Sequence, residues 1–94
     1  MIKTFADKET ESVYKQVFSP KLPTDIQRVA LRKLMMINNS ESLSDLRVPP
    51  ANHLEKLEGN RAGQYSIRIN DQWRICFRFE NGDFLDVGIV DYHK

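Results

Sequence analysis

The chain has 94 residues, 40% hydrophobic and 29% charged, with 14 Lys and Arg against 13 Asp and Glu for a formal charge of +1. That length supports one domain, residues 1–94, around one core, and the apolar content excludes wholesale disorder. No apolar run reaches the ~18–20 residues of a membrane span, no secretory apolar region follows Met1, and the single cysteine, Cys76, makes neither an internal disulfide nor a zinc cluster by itself. The expectation is a soluble cytoplasmic domain with no membrane partner.

Met1 to Phe5 reads as a short strand. A helix is predicted from Asp7, whose carboxylate suits an N-cap, to about Phe18, with Val13, Val17 and Phe18 on one stripe and Tyr14 beside it. Pro20 and Pro23 break it. Thr24 and Gln27 then have capping-box spacing. Behind them Ile26, Val29, Ala30, Leu34 and Ile37 form the clearest helical stripe, which ends near Asn38 and Asn39. Leu43 and Leu46 suggest one more helical turn before Pro49 and Pro50.

The period then changes from helix to strand. Tyr65–Asn70, Trp73–Phe79 and the run of Leu85, Val87 and Ile89 all alternate, and Asn81-Gly82 supplies a hairpin turn between the last two. The fold class is α+β: an N-terminal strand and two helices packed on one face of an antiparallel sheet, with odd-numbered strand residues in the core.

Demanding that apolar positions coincide sets the register. Ile69 opposite Trp73 brings Ile67 to Ile75 and Tyr65 to Phe77, with Asn70, Asp71 and Gln72 as the loop. Phe77 opposite Val87 brings Arg74 to Val90 and Arg78 to Asp86, an ordinary surface pair worth under ~1 kcal/mol. The same register sets Arg68 directly across from Arg74, and like charges so opposed destabilise a hairpin unless they splay into water. From Gly59 to Phe79 four arginines (Arg61, Arg68, Arg74, Arg78) face one acid, Asp71, so this stretch is locally +3. All four carry the planar fork that suits phosphate oxygens, which makes this face a candidate polyanion site.

Tyr92 extends the polar face beyond Val90, and His93 follows it with the usual proton carrier of neutral-pH catalysis. His53 reads as a solvent-facing loop residue and Cys76 as a small packed one. Neither a metal-ligand spacing nor a phosphate-binding glycine loop is present in the sequence.

The block from Leu54 to Phe77 carries the pattern L-x-x-L-x-G-x-R-x-G-x-x-S-I-x-x-x-x-x-W-R-I, and the chain ends Asp91-Tyr92-His93-Lys94. Together with the opening Met1-Ile2-Lys3-Thr4-Phe5, this resembles HigB-type toxins of the RelE/ParE toxin–antitoxin superfamily over essentially the whole chain. The resemblance implies a RelE-like fold and a toxin that enters the ribosomal A site and cuts mRNA during translation. It implies neutralisation by a HigA-type helix-turn-helix antitoxin, contact with operator DNA only through that antitoxin, and no metal or organic cofactor.

In metal-free cleavage the substrate's 2′-OH attacks the adjacent phosphate, which requires a base, cationic donors and an acid. By resemblance Arg74, the arginine after the tryptophan, is the phosphate clamp, and Tyr92 and His93 match the family's terminal pair, for proton transfer or base stacking. Arg61 matches a family motif position in a glycine-flanked loop, while Arg68 and Arg78 come from the register and local charge. Base and acid stay open among His93, Tyr92 and Glu58. Some family members carry histidine and lysine at the positions of Glu55 and Glu58 and arginine at that of Asn70, so these departures point to weaker cleavage. A ParE-like poison of DNA gyrase and a purely antitoxin-binding, regulatory module are the competing expectations. The lack of a spare apolar stripe predicts a monomer.

Overall fold

The computed structural model describes residues 1–92; His93 and Lys94 lie outside the described residues. Helix α1 spans Lys8–Tyr14 and is capped by Asp7, whose Oδ1 accepts from Thr10 N at 2.7 Å. It is shorter than its stripe suggests. Gln16 adopts a left-handed φ of 64°, and the N–H groups of Gln16 and Val17 bond back to the carbonyls of Val13 and Ser12. This Schellman-type closure ends the helix before Val17 and Phe18, which stay exposed rather than joining the core.

Helix α2 spans Thr24–Asn39 and buries Ile26, Ala30, Leu34 and Ile37. The expected Thr24 cap is not formed: Pro23 is the N-cap and gives no side-chain bond. Its φ of −56° already leads the chain into the helix. Gln27 instead turns back on the entry loop, accepting from Ser19 N and donating to the carbonyls of Ser19 and Leu22. Leu43–Arg47 forms the anticipated turn as a 3-10 helix with Ser42 and Asp45 as its capping box. Between the end of α1 and α2 lies an open groove of about 530 Å³, lined by Val13, Val17, Phe18, Gln27, Arg28 and Leu31.

Four antiparallel strands follow in sheet order: β1 Glu55–Lys56, β2 Tyr65–Arg68, β3 Trp73–Glu80 and β4 Asp83–Asp91. The β2–β3 register is the one deduced from hydrophobic matching, with Tyr65 opposite Phe77, Ile67 opposite Ile75 and Arg68 opposite Arg74. Asn70 closes this hairpin by accepting from the N–H groups of Gln72 and Trp73, both at 2.8 Å. That gives Asn70 a turn-forming role. Asn81 and Gly82, both at positive φ, make the second hairpin turn.

The β3–β4 register agrees at Arg74–Val90 but shifts between Cys76 and Arg78, so that Arg78 pairs with Leu85. The cause is a bulge at Asp86, which takes φ 52°. One extra residue reverses the facing of everything before it. Phe84 enters the core at 0% exposure in place of Leu85, and stacks edge-on against Phe77 at 5.3 Å.

The N-terminal segment is two isolated parallel bridges to β4, Ile2–Phe84 and Phe5–Val87, straddling the bulge. Thr4 Oγ1 accepts the Asp86 N–H at 2.8 Å, and Thr10 Oγ1 of α1 accepts that of Ile89 at 2.9 Å. The outer edge of β4 is thereby covered along its length. Gly88 lies where a Cβ would approach Ala6 Cβ to 3.0 Å.

Thr10 is fully buried, so Thr10→Val keeps its shape but leaves the Ile89 N–H unpaired. A loss of ~1–3 kcal/mol is expected from urea unfolding at unchanged m-value. Cys76 is buried on the sheet's other face, and burial raises its thiol pKa against the opposing charges of Arg61 and Arg74. A raised pKa leaves the unreactive thiol form in excess, so native protein at pH 8 is expected to resist iodoacetamide while urea-unfolded protein is alkylated, as read by mass spectrometry.

Candidate functional site

Opposed residues of neighbouring strands share a face, and pairing sets Glu55, Ser66, Cys76 and Gly88 in one row across the sheet, on the side away from the helices. The adjacent row is Arg68, Arg74 and Val90, continued toward Tyr92. Arg74 is only 9% exposed. Its side chain leans across the first row: Nε donates to Ser66 Oγ at 2.7 Å and Nη2 to the backbone carbonyl of His53 at 2.5 Å. Glu55 Oε1 lies 3.8 Å from Nη2, with the Glu55 side chain half exposed.

The Tyr92 ring lies with its centroid 5.8 Å from Arg74 Cζ, a cation–π distance. The backbone holds the ring there, since Tyr92 N donates to Gln72 O at 2.6 Å. Ser66 Oγ accepts from Arg74 and keeps its own O–H to donate. The cluster is therefore a largely buried guanidinium and hydroxyl beside a half-exposed carboxylate and an aromatic ring. Guanidinium donors suit phosphate oxygens, and a carboxylate is chemically able to accept a proton.

Of the residues singled out in the sequence, Arg74 and Tyr92 come together here, and Arg61 is close enough for its charge to act on Cys76. Arg61 sits in the turn Gly59–Arg61, flanked by Gly59 and Gly63 at positive φ, and its Nη1 bonds Gln64 at 3.0 Å. Arg68 is drawn away from Arg74 to Asp71, which resolves the like-charge pair. Arg78 is held between Glu80 and Asp86, and the two hydrogen bonds raise its pKa further. The cross-strand pair with Asp86 thus forms, at 3.0 Å, despite the bulge. Glu58 is exposed at the start of the Gly59 turn, and His93 lies outside the described residues. Among the described residues no three His, Cys, Asp or Glu side chains gather as metal ligands, and no helix is long and apolar enough to cross a membrane.

Sequence reasoning missed Ser66, the His53 carbonyl and the placement beside Arg74 of Glu55, which it named only as a departure from the family pattern. The register placed Ser66 one step from Arg74 on the same face, a usable signal. Glu55 lies on a two-residue strand with no periodicity to read, and a backbone carbonyl has no sequence signature.

Known proteins share both sequence and fold with this chain. Residues 3–93 match the family described as the RelE-like toxin of type II toxin–antitoxin system HigB. The chain is 40% identical over 91 residues to Toxin HigB-1 of Vibrio cholerae, covering 96% of this chain and 95% of that one. It is 32% identical to Endoribonuclease HigB of Proteus vulgaris, covering 99% and 100%. A Haemophilus influenzae protein is 49% identical over 63 residues, and the chain spans 62% of that protein's length. In fold the chain is similar to YoeB in the YoeB–YefM complex of Staphylococcus aureus, at TM-score 0.61 with 18% identity over 100% of this chain and 99% of that one. YafQ of Escherichia coli is similar at TM-score 0.58 with 12% identity, covering 97% and 91%. Two helices on one face of an antiparallel sheet, a buried arginine after the tryptophan, and a family match across nearly the whole length converge on one assignment: the chain belongs to the HigB-like family of RelE-type toxins from type II toxin–antitoxin systems.

Proposed function

We propose that this toxin is an endoribonuclease that cuts mRNA in the ribosomal A site during translation, in the cytoplasm. The observation that carries the reading is Arg74, a guanidinium fixed by Ser66 and the His53 carbonyl beside a half-exposed carboxylate and the Tyr92 ring. The name of the Proteus vulgaris relative, an endoribonuclease, supports RNA as the substrate. The near-neutral total charge supports dependence on the ribosome, because weak non-specific RNA affinity leaves presentation of the substrate to another body.

In the proposed step the 2′-oxygen bonds to the adjacent phosphorus as Glu55 takes its proton. Arg74, assisted by Arg61, stabilises the charge that builds on the phosphorane oxygens. The bond to the 5′-oxygen then breaks, and His93 donates the proton that the leaving group needs. The products are a 2′,3′-cyclic phosphate and a 5′-hydroxyl. Tyr92 stacks on a base. Arg68 and Arg78 are already paired with acids and contribute to phosphate attraction less directly. Glu55 fills the base role better than Glu58 because it faces Arg74.

The proposed partner is an antitoxin of the helix-turn-helix HigA type, which would also carry contact with operator DNA. The antitoxin complex named for the Staphylococcus aureus neighbour supports a toxin–antitoxin pairing in general.

Primer extension on a translated reporter mRNA tests the reading. Arg74→Ala is expected to lower cleavage by ~10²–10³-fold and Glu55→Gln by about 10²-fold. Intact mRNA at growth-arresting expression would sink the proposal, and DNA damage under the same conditions would point to gyrase. Arg78→Ala is expected to cost less than about fivefold in the same assay, the scale of an exposed ion pair.

A further inference from the structure

Behind the His53 carbonyl stands a buried polar chain that the reaction does not use. Lys33 is on α2 and 5% exposed, yet among the described residues it has no carboxylate partner. Its ammonium donates to Oδ1 of Asn52, itself fully buried. Asn52 Nδ2 in turn reaches the carbonyls of Leu46 at 3.1 Å and Val48 at 3.4 Å and the Met36 sulfur at 3.2 Å. Asn52 thereby ties α2 to the Leu43–Arg47 and Pro50–Asn52 turns.

The next residue is the one that holds Arg74. His53 is in the left-handed region (φ 44°, ψ 57°), and its N–H is bonded to Pro50 O at 3.0 Å. The direction of its carbonyl follows from these torsions, taken by the residue directly after Asn52, whose side chain is held by Lys33 and the Leu46 and Val48 carbonyls. Burial of an unpaired ammonium is costly, and burial lowers the pKa of Lys33, with the charge of Arg32 adding to the effect. An apolar residue there would remove the charge but leave the buried Asn52 Oδ1 without its donor.

We propose that Lys33 and Asn52 are positioning residues for the active site: they aim the His53 carbonyl, and through it the Arg74 guanidinium, at the scissile phosphate. The proposal rests on the nuclease reading only for its activity consequence. Ordering of Arg74 is a property of the toxin alone.

The test uses the purified toxin with Asn52→Ala and, in case that variant fails to fold, Lys33→Met. NMR exchange of the Arg74 Nε–H reads its ordering, and cleavage of ribosome-bound mRNA reads the consequence. Lys33→Met is expected to stay folded with a lowered thermal midpoint, because Asn52 Oδ1 loses its donor, while Arg74 Nε–H exchange accelerates by about tenfold or more. Its kcat should fall about tenfold at unchanged KM, with no further loss when added to Arg74→Lys. Unchanged Arg74 exchange in the folded variants would overturn the proposal, as would a loss that adds in full to that of Arg74→Lys. If the wild type cuts no mRNA, the nuclease reading fails, and the exchange rates still decide whether Lys33 and Asn52 hold Arg74.

Discussion

A guanidinium cannot shed its charge, so placing one at 9% exposure within a protein face commits the surroundings to supplying acceptors. In this toxin the commitment is met by one hydroxyl and one backbone carbonyl, with a carboxylate standing off at 3.8 Å. Much of the architecture follows from that choice. The two-residue strand β1 sets Glu55 beside Ser66, the prolines and the left-handed His53 direct a carbonyl over the sheet, and Arg68 is deflected to Asp71. The resulting site holds its cation rigidly without a tight carboxylate clamp. An arginine sealed by a bidentate acid would have little left for a phosphate.

Two of the other arginines are paired where they stand, Arg78 with two acids and Arg68 with one, while Arg61 is bonded to Gln64. Acids elsewhere in the chain bring the locally +3 stretch to a total of +1. A near-neutral total is not by itself an argument against a nucleic-acid partner. It describes instead a surface on which Arg68 and Arg78 are paired with acids while Arg74 keeps a carboxylate only at 3.8 Å. On the proposed reading, that combination suits a toxin whose substrate is presented to it.

The two faces of the sheet are held in place from the N-terminal end. As the edge strand, β4 has outward backbone groups without partners in the sheet, and Thr4, Thr10 and the bridges at Ile2 and Phe5 take up those of Phe84, Asp86, Val87 and Ile89. The bulge at Asp86 turns Phe84 into the core against Phe77 and Phe79. Covering the edge in this way closes off pairing with another chain along β4. Exposed apolar side chains lie elsewhere, among them Val17 and Phe18 beyond the end of α1, Met35 and Val48.

Periodicity and pairing chemistry were enough to read the α+β plan, the extent of α2, both hairpin turns and the β2–β3 register that opposes Arg68 and Arg74, because each depends on neighbours within a few residues. The pattern from Leu54 to Ile75 was likewise legible as a family signature. What tertiary structure decided lay in groups without side-chain signatures or in competition between elements. A left-handed Gln16 shortened α1, Pro23 displaced the Thr24 cap, and one extra residue at Asp86 exchanged Leu85 for Phe84 in the core. The partners of Arg74 belong to the same class. Ser66 is eight residues away and the His53 carbonyl twenty-one, and only folding could make a backbone oxygen the acceptor that a buried cation requires.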